Sequence, residues 1–156
     1  MTPRQKAFLL VAVQLVLLLA LAGVLLLLPM GQVGWARLVG VALAAVGLVV
    51  VFWALWTHFR VNGSLVNISP EPDVQAQLVQ KGLYAHIRHP IYLGVMLCGV
   101  GAALAHGHVA ALGLALLLVL FFTYKSTFEE KWLMQVYPGY AAYRERAGRF
   151  LPRLLK

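Results

Sequence analysis

Apolar residues run along this chain in long blocks, without the spacing of half-buried elements. Ala7 to Leu28 is apolar throughout except for Gln14. Trp35 to Thr57 is a second block, rich in Val, Leu and Ala, with Trp53 and Trp56 near its end. Ile91 to Ala105 is a third, and Val109 to Tyr124 a fourth whose helical pattern continues through Glu129 to Val136. A helix needs about 20 apolar residues to cross the roughly 30 Å hydrocarbon core at about 1.5 Å per residue. The third block falls short of that length. His106-Gly107-His108 makes a tight polar turn, so the last two blocks predict an antiparallel helical hairpin. Tryptophans favour the depth at which Trp53 and Trp56 would lie. Ala20-Leu21-Ala22 has the form of a signal-peptidase site, yet the apolar run continues past it to Leu28, as in an anchored helix. The pattern predicts an all-α polytopic membrane protein with four transmembrane helices, at about 7–28, 35–57, 91–105 and 109–128. These fall within a single domain over 1–156.

Composition supports that class. Hydrophobic residues make up 62% of the 156 residues and charged residues 12%, too apolar for the surface of a soluble domain. Of 13 Lys and Arg residues, only Arg37 falls on one side of the four-span arrangement. The positive-inside rule then puts both termini, and the regions 58–90 and 125–156, in the cytoplasm. The formal charge of +8 is explained by topology and anionic lipid headgroups. No aromatic–basic motif suggests nucleic acid. Cys98 is the one cysteine, so no internal disulfide, CxxC motif or Cys-based zinc site exists. His86 and His89 have no convincing third ligand, and no metal site is predicted. Gly94, Cys98 and Ala102 recur every four residues, a small face for close helix packing within one chain or between chains. Oligomeric state is not legible. Gly99-Val100-Gly101 lies inside an apolar helix and does not form a nucleotide loop. The long connection from His58 to His89 holds turn-formers at Asn62-Gly63-Ser64 and Ser69-Pro70-Glu71-Pro72-Asp73. Pro138-Gly139 breaks the last helix, and Tyr140 to Gly148 predicts an amphipathic helix at the membrane interface.

Two polar clusters stand out against this background. In the first, Pro90 suits the first position of a helix. Arg88 and His89 then stand where the free N–H groups of that helix point, an anion-binding arrangement, with Tyr84 and Tyr92 close by. Arg88 alone is also explained by snorkelling to the interface. In the second, Lys125 and Glu129 are helical neighbours suited to a local ion pair, and Glu130 points about a quarter-turn away. Two acids at a helix C-terminus need a positive partner. Arg88, Arg149 or a cationic ligand would supply it.

The stretch Leu78-Val79-x-x-Gly82-x-Tyr84-x-x-x-Arg88-His89-Pro90-x-Tyr92-x-Gly94 resembles the signature of the isoprenylcysteine carboxyl methyltransferase family and its phospholipid methyltransferase relatives. Glu129-Glu130-x-x-Leu133, Tyr137, Tyr140-x-x-Tyr143 and Pro152 resemble that family's C-terminal signature. The resemblance covers the last half of the chain and implies a membrane methyltransferase that uses S-adenosylmethionine. It implies a cytosolic cofactor pocket lined by Leu78, Val79, Tyr84, Arg88, His89, Pro90 and Tyr92, with Glu129 and Glu130 closing it. The chain departs from the family pattern at Leu83, where Pro is usual, and at Lys125, where Arg is frequent. It also departs at Tyr137-Pro138 and Ala147-Gly148.

For a carboxylate acceptor such as a prenylcysteine, Arg149 or Lys125 would hold the acceptor, ordered by Glu129, and no base is needed. An amine or thiol acceptor requires a base, for which His89 or Glu129 is suited. A phospholipid amine, a small thiol or another amphiphile therefore remains open as acceptor. Brevity and composition point to a prokaryotic plasma membrane, with membrane lipid as a partner and the site facing the cytoplasm. A nicotinamide-dependent lipid reductase and a non-enzymatic lipid-binding scaffold are the alternatives.

Overall fold

The computed structural model describes residues 2–32, 34–63 and 77–153. Lipid offers the backbone no hydrogen-bonding partner, so apolar blocks of this length close their bonds within helices. The described residues form α1 (Pro3–Leu27), α2 (Ala36–Asn62), α3 (Pro90–His106), α4 (Val109–Val136) and α5 (Tyr140–Arg146), with a 3₁₀ turn at Gly82–Ala85. They contain no strand, only one isolated parallel bridge between Ile87 and Gly148. The fold is all-α. α1, α2 and α4 are long and apolar enough to cross a membrane, and α3 is a shorter apolar helix. The turn-formers expected at Ser64 and between Ser69 and Asp73 lie outside the described residues.

Local signals set the helix ends. Thr2 and Gln5 form a reciprocal capping box at the start of α1. Pro90 occupies the first turn of α3, and Gly107 ends that helix in the left-handed conformation at φ 76°. The polar turn then docks on the α1–α2 connection. Gly31 N donates to the His106 carbonyl at 2.8 Å, and the His106 ring lies 3.2 Å from the Leu28 carbonyl. Arg37 has a local partner set there too, because Nε donates to Ala105 O and Nη2 to Gly31 O.

α1 packs on α4, α4 on α3, and α3 on α2. Leu21, Met96, Ala115, Leu118 and Phe122 centre the buried cluster between α1, α3 and α4. Leu19, Leu38, Phe52 and Leu116 remain exposed, as befits surfaces that face lipid. The α2–α3 contact differs in kind, because at its glycines backbone meets backbone. A Cβ on Gly40 would lie 2.4 Å from Ala105 N, and one on Gly101 2.4 Å from Ala44 N. A Cβ on Gly47 would lie 2.6 Å from Cys98 N, and one on Gly94 2.8 Å from Gly47 O. Two backbones therefore touch along a seam with glycines seven residues apart on each helix. Cys98 joins it through a thiol contact of 3.6 Å to Ala44 O. The small face expected on α3 thus packs inside the chain, with Gly101 and Ala105 continuing it rather than Ala102.

Candidate functional site

The seam and the short α3 leave room at one end of the bundle. Val51 on α2 meets Gly94, four residues after α3 begins, and α2 then continues to Asn62. Tyr92 meets Phe122, and α4 continues to Val136. Both neighbours overshoot the start of α3, leaving a cleft above Pro90. Residues 77–85 and α5 cover it.

Three backbone bonds pin the cover. Gly148 N donates to His86 O at 2.9 Å, Arg88 N to Gly148 O at 2.8 Å, and His89 N to Arg149 O at 3.1 Å. Gly148 is required there, since a Cβ would lie 1.8 Å from Leu151 O. Asn62 grips the other side. Its Oδ1 accepts from Gln77 N at 2.9 Å and its Nδ2 donates to Gln77 O at 3.3 Å. α5 packs Tyr140, Tyr143 and Ala147 against Leu78, Leu133 and Tyr137. The apolar face of the predicted amphipathic helix is therefore spent on the protein, and the helix spans Tyr140–Arg146.

A cavity of about 220 Å³ lies beneath this cover. Leu78, Val79, Tyr84, Arg88, His89, Pro90, Tyr92 and Glu129 line it. Sequence reasoning did not assign the remaining lining residues, His58, Gln77, Ile91, Leu133, Tyr137, Tyr140 and Tyr143, to a pocket. Leu133, Tyr137, Tyr140 and Tyr143 were visible through the C-terminal family signature and through their near-helical spacing.

Glu130 is not on the lining. It is 3% exposed and stands behind the wall. Arg88 donates to Glu130 Oε1 through Nε at 2.9 Å and pairs with it through Nη2 at 2.9 Å. His89 Nε2 donates to the same oxygen at 3.2 Å. Arg149 Nε lies 3.7 Å from Oε1 and Arg144 Nε 3.7 Å from Oε2. Arg88 also donates through Nη1 to the Arg144 and Ala147 carbonyls, locking it to α5. Arg88 and Arg149 had been expected as partners of the acids; Arg144 had not.

Glu129 is on the lining. Its Oε1 accepts from the Tyr92 hydroxyl at 2.5 Å, and Lys125 Nζ lies 3.6 Å from it, the local ion pair foreseen from spacing. Tyr92 stacks on His89 with ring centroids 5.4 Å apart. Lys125 and Arg149 do not line the cavity. Lys125 is buried toward α1, and Arg149 Nη1 donates to Thr127 Oγ1 at 3.0 Å. Among the described residues no group of three or more His, Cys, Asp or Glu is arranged for a metal ion.

Burial pushes the Tyr143 hydroxyl up to about 12, and those of Tyr84 and Tyr140 higher still. All three remain protonated donors at neutral pH. Tyr143 donates to the Tyr84 carbonyl at 2.6 Å, whereas the buried Tyr140 hydroxyl has no acceptor among the described residues and lies beside the Arg88 guanidinium. Tyr143→Phe is expected to lower stability by about 1 kcal/mol and to loosen the cover. Thermal unfolding in detergent measures it, and an unchanged midpoint would count against this bond.

The helical bundle with a charged, aromatic cavity at one end is that of a membrane-embedded protein. The chain belongs to the phospholipid methyltransferase family, whose model matches residues 35–139. It is 34% identical over 77 residues to the protein-S-isoprenylcysteine O-methyltransferase of Schizosaccharomyces pombe, covering 48% of this chain and 33% of that protein. It is 32% identical over 121 residues to the cobalt-zinc-cadmium resistance protein CzcN of Cupriavidus metallidurans, covering 75% of this chain and 48% of that protein. The chain thus spans half or less of the length of these relatives. No solved structure matches it.

Proposed function

We propose that this protein transfers a methyl group from S-adenosylmethionine to an amphiphilic acceptor at the cytoplasmic face of a membrane. In this reading α3 is the fourth span and both termini are cytoplasmic. The supporting observation is that every residue carried over to the cofactor except Glu130 lines one cavity, in a chain that belongs to a methyltransferase family.

The lining suits the cofactor chemically. Tyr84, Tyr137 and Tyr140 offer ring faces for a purine. Arg88 offers guanidinium donors for a carboxylate, and Glu129 a carboxylate for a cation. The buried Tyr140 hydroxyl, beside the Arg88 guanidinium, has no acceptor for its proton among the described residues and could donate to a ligand. S-adenosylmethionine supplies an electrophilic methyl on a cationic sulfur, which becomes a neutral thioether when the acceptor's lone pair takes the methyl. The protein's part is positioning and exclusion of water beneath the α5 cover. A carboxylate acceptor gives up no proton. An amine or thiol does, and the protein then needs a base. His89 donates through Nε2 to Glu130, leaving Nδ1 free of that bond to accept a proton. Glu129 is the second acceptor of this kind.

Similarity to the S. pombe relative favours a prenylcysteine-type carboxylate, and the family's description favours a phospholipid amine. The seat of Lys125 outside the cavity argues against it as the group that holds an acceptor carboxylate. The same holds for Arg149, and Arg88, which lines the cavity, would take that role. Calorimetric binding of S-adenosylhomocysteine to the purified protein tests the cofactor. Micromolar binding, weakened at least tenfold by His89→Ala, is expected. Glu129→Ala is expected to abolish turnover even at ligand concentrations that saturate its weakened binding. Full turnover in that variant would remove Glu129 from the chemistry, and a folded wild type that ignores the ligand would favour the reductase or scaffold reading.

A further inference from the structure

Gln14 is the one polar residue between Ala7 and Leu28, and α1 lies outside the residues matched by the family model. It sits about 16 Å along the helix from Pro3, at a depth where a polar side chain needs a protein partner. Its Oε1 accepts from Lys125 Nζ at 2.6 Å. Lys125 is 7% exposed and has two further neighbours, the Glu129 carboxylate at 3.6 Å and the Tyr92 ring, whose centroid is 5.1 Å away. Glu129 in turn accepts from the Tyr92 hydroxyl. A polar relay therefore runs from the middle of α1, through an ammonium hidden outside the cavity, to two side chains that line it.

The distances rank the partners. The ammonium bonds Gln14 at 2.6 Å and pairs with Glu129 Oε1 only at 3.6 Å, the oxygen that also accepts from Tyr92 at 2.5 Å. Without the Gln14 oxygen, Glu129 would be the nearest acceptor left to a buried cation. A closer ammonium would draw the Glu129 carboxylate toward itself, and the Tyr92 hydroxyl that donates to it would be displaced with it. We propose that Gln14 is a positioning residue of the cavity: by holding Lys125 off Glu129, it fixes the Tyr92–Glu129 wall against which the ligand packs. This rests on the cofactor reading above.

The test is a thermodynamic cycle read by S-adenosylhomocysteine affinity in wild type, Gln14→Leu, Gln14→Glu, Lys125→Met and the Gln14→Leu/Lys125→Met double variant. Leucine removes the oxygen at similar size, and glutamate keeps it. Gln14→Leu is expected to weaken binding about tenfold, Gln14→Glu to restore it to within about threefold, and Gln14→Leu to add no loss once Lys125 is Met. Simple packing by Gln14 would produce the same loss in both backgrounds. That result, or unchanged affinity in Gln14→Leu, would overturn the proposal. If Gln14→Leu does not fold alone, recovery of fold and affinity in the double variant supports the relay, and failure to recover overturns it. A folded wild type that does not bind the ligand overturns the cofactor reading and this role together. Binding by wild type with no coupling between Gln14 and Lys125 overturns this role alone.

Discussion

Glu130→Ala is expected to destabilise the protein by about 3–5 kcal/mol, the cost of breaking a buried ion pair from one side. Among the described residues, Glu130 is the carboxylate that Arg88, His89, Arg144 and Arg149 share. The Arg88 side chain is 8% exposed, so its guanidinium would be left buried beside the Arg144 and Ala147 carbonyls with no carboxylate partner among the described residues. Because Arg88 and His89 line the cavity, ligand binding should fall with stability. Glu130→Gln keeps an acceptor oxygen and should lie between Ala and wild type. Unfolding midpoints in detergent, read beside S-adenosylhomocysteine affinity, decide it. A Glu130→Ala protein that melts and binds like wild type would show the hub to be dispensable.

The second large effect is expected far from the cavity. Gly101→Leu would push a Cβ to within 2.4 Å of Ala44 N and 2.6 Å of Gly40 O, backbone atoms that cannot rotate aside. α2 and α3 would have to separate, with a cost at or above the upper end of the roughly 1–3 kcal/mol usual for overpacking. α2 also carries His58 on the lining and Asn62 gripping Gln77, so the shift should reach the ligand. Gly113→Leu on α4, where nothing lies within 4 Å, is the matched control and should be silent. Comparing the two variants' unfolding midpoints tests the seam, and equal behaviour would refute it.

The contrast between the two regions shows what the sequence made legible. Four apolar blocks were readable because a bilayer tolerates few ways of satisfying a backbone. Which helices touch was not readable. The stripe Gly94, Cys98, Ala102 was visible on α3, but its partner glycines, Gly40 and Gly47, lie some 50 residues earlier and acquire meaning only when the two backbones are laid together. At the site, Arg88, His89, Tyr92 and Glu129 were legible through a family pattern. The division of labour between adjacent acids was not. Helical geometry turns Glu129 toward the cavity and Glu130 toward the arginines, and a one-residue difference in sequence carries no label saying which is which. Lys125 stands where the family frequently has Arg, and with Arg149 it was the cation expected to hold an acceptor carboxylate. Its burial against Gln14 depends on α1, 111 residues earlier in the chain. Tyr140 and Tyr143 showed helical spacing, but that they fold back to roof the cavity follows from the bonds of Gly148.

Those bonds also carry a consequence in time. His86, Arg88 and His89 find their backbone partners at Gly148 and Arg149, about 60 residues later. During synthesis every apolar helix can enter the bilayer before those partners leave the ribosome. Until then Arg88 has no α5 carbonyls to hold it, and the cavity has no roof. Membrane insertion and completion of the binding chamber are thus separate events, and the second waits for residues that follow the last of the long apolar helices.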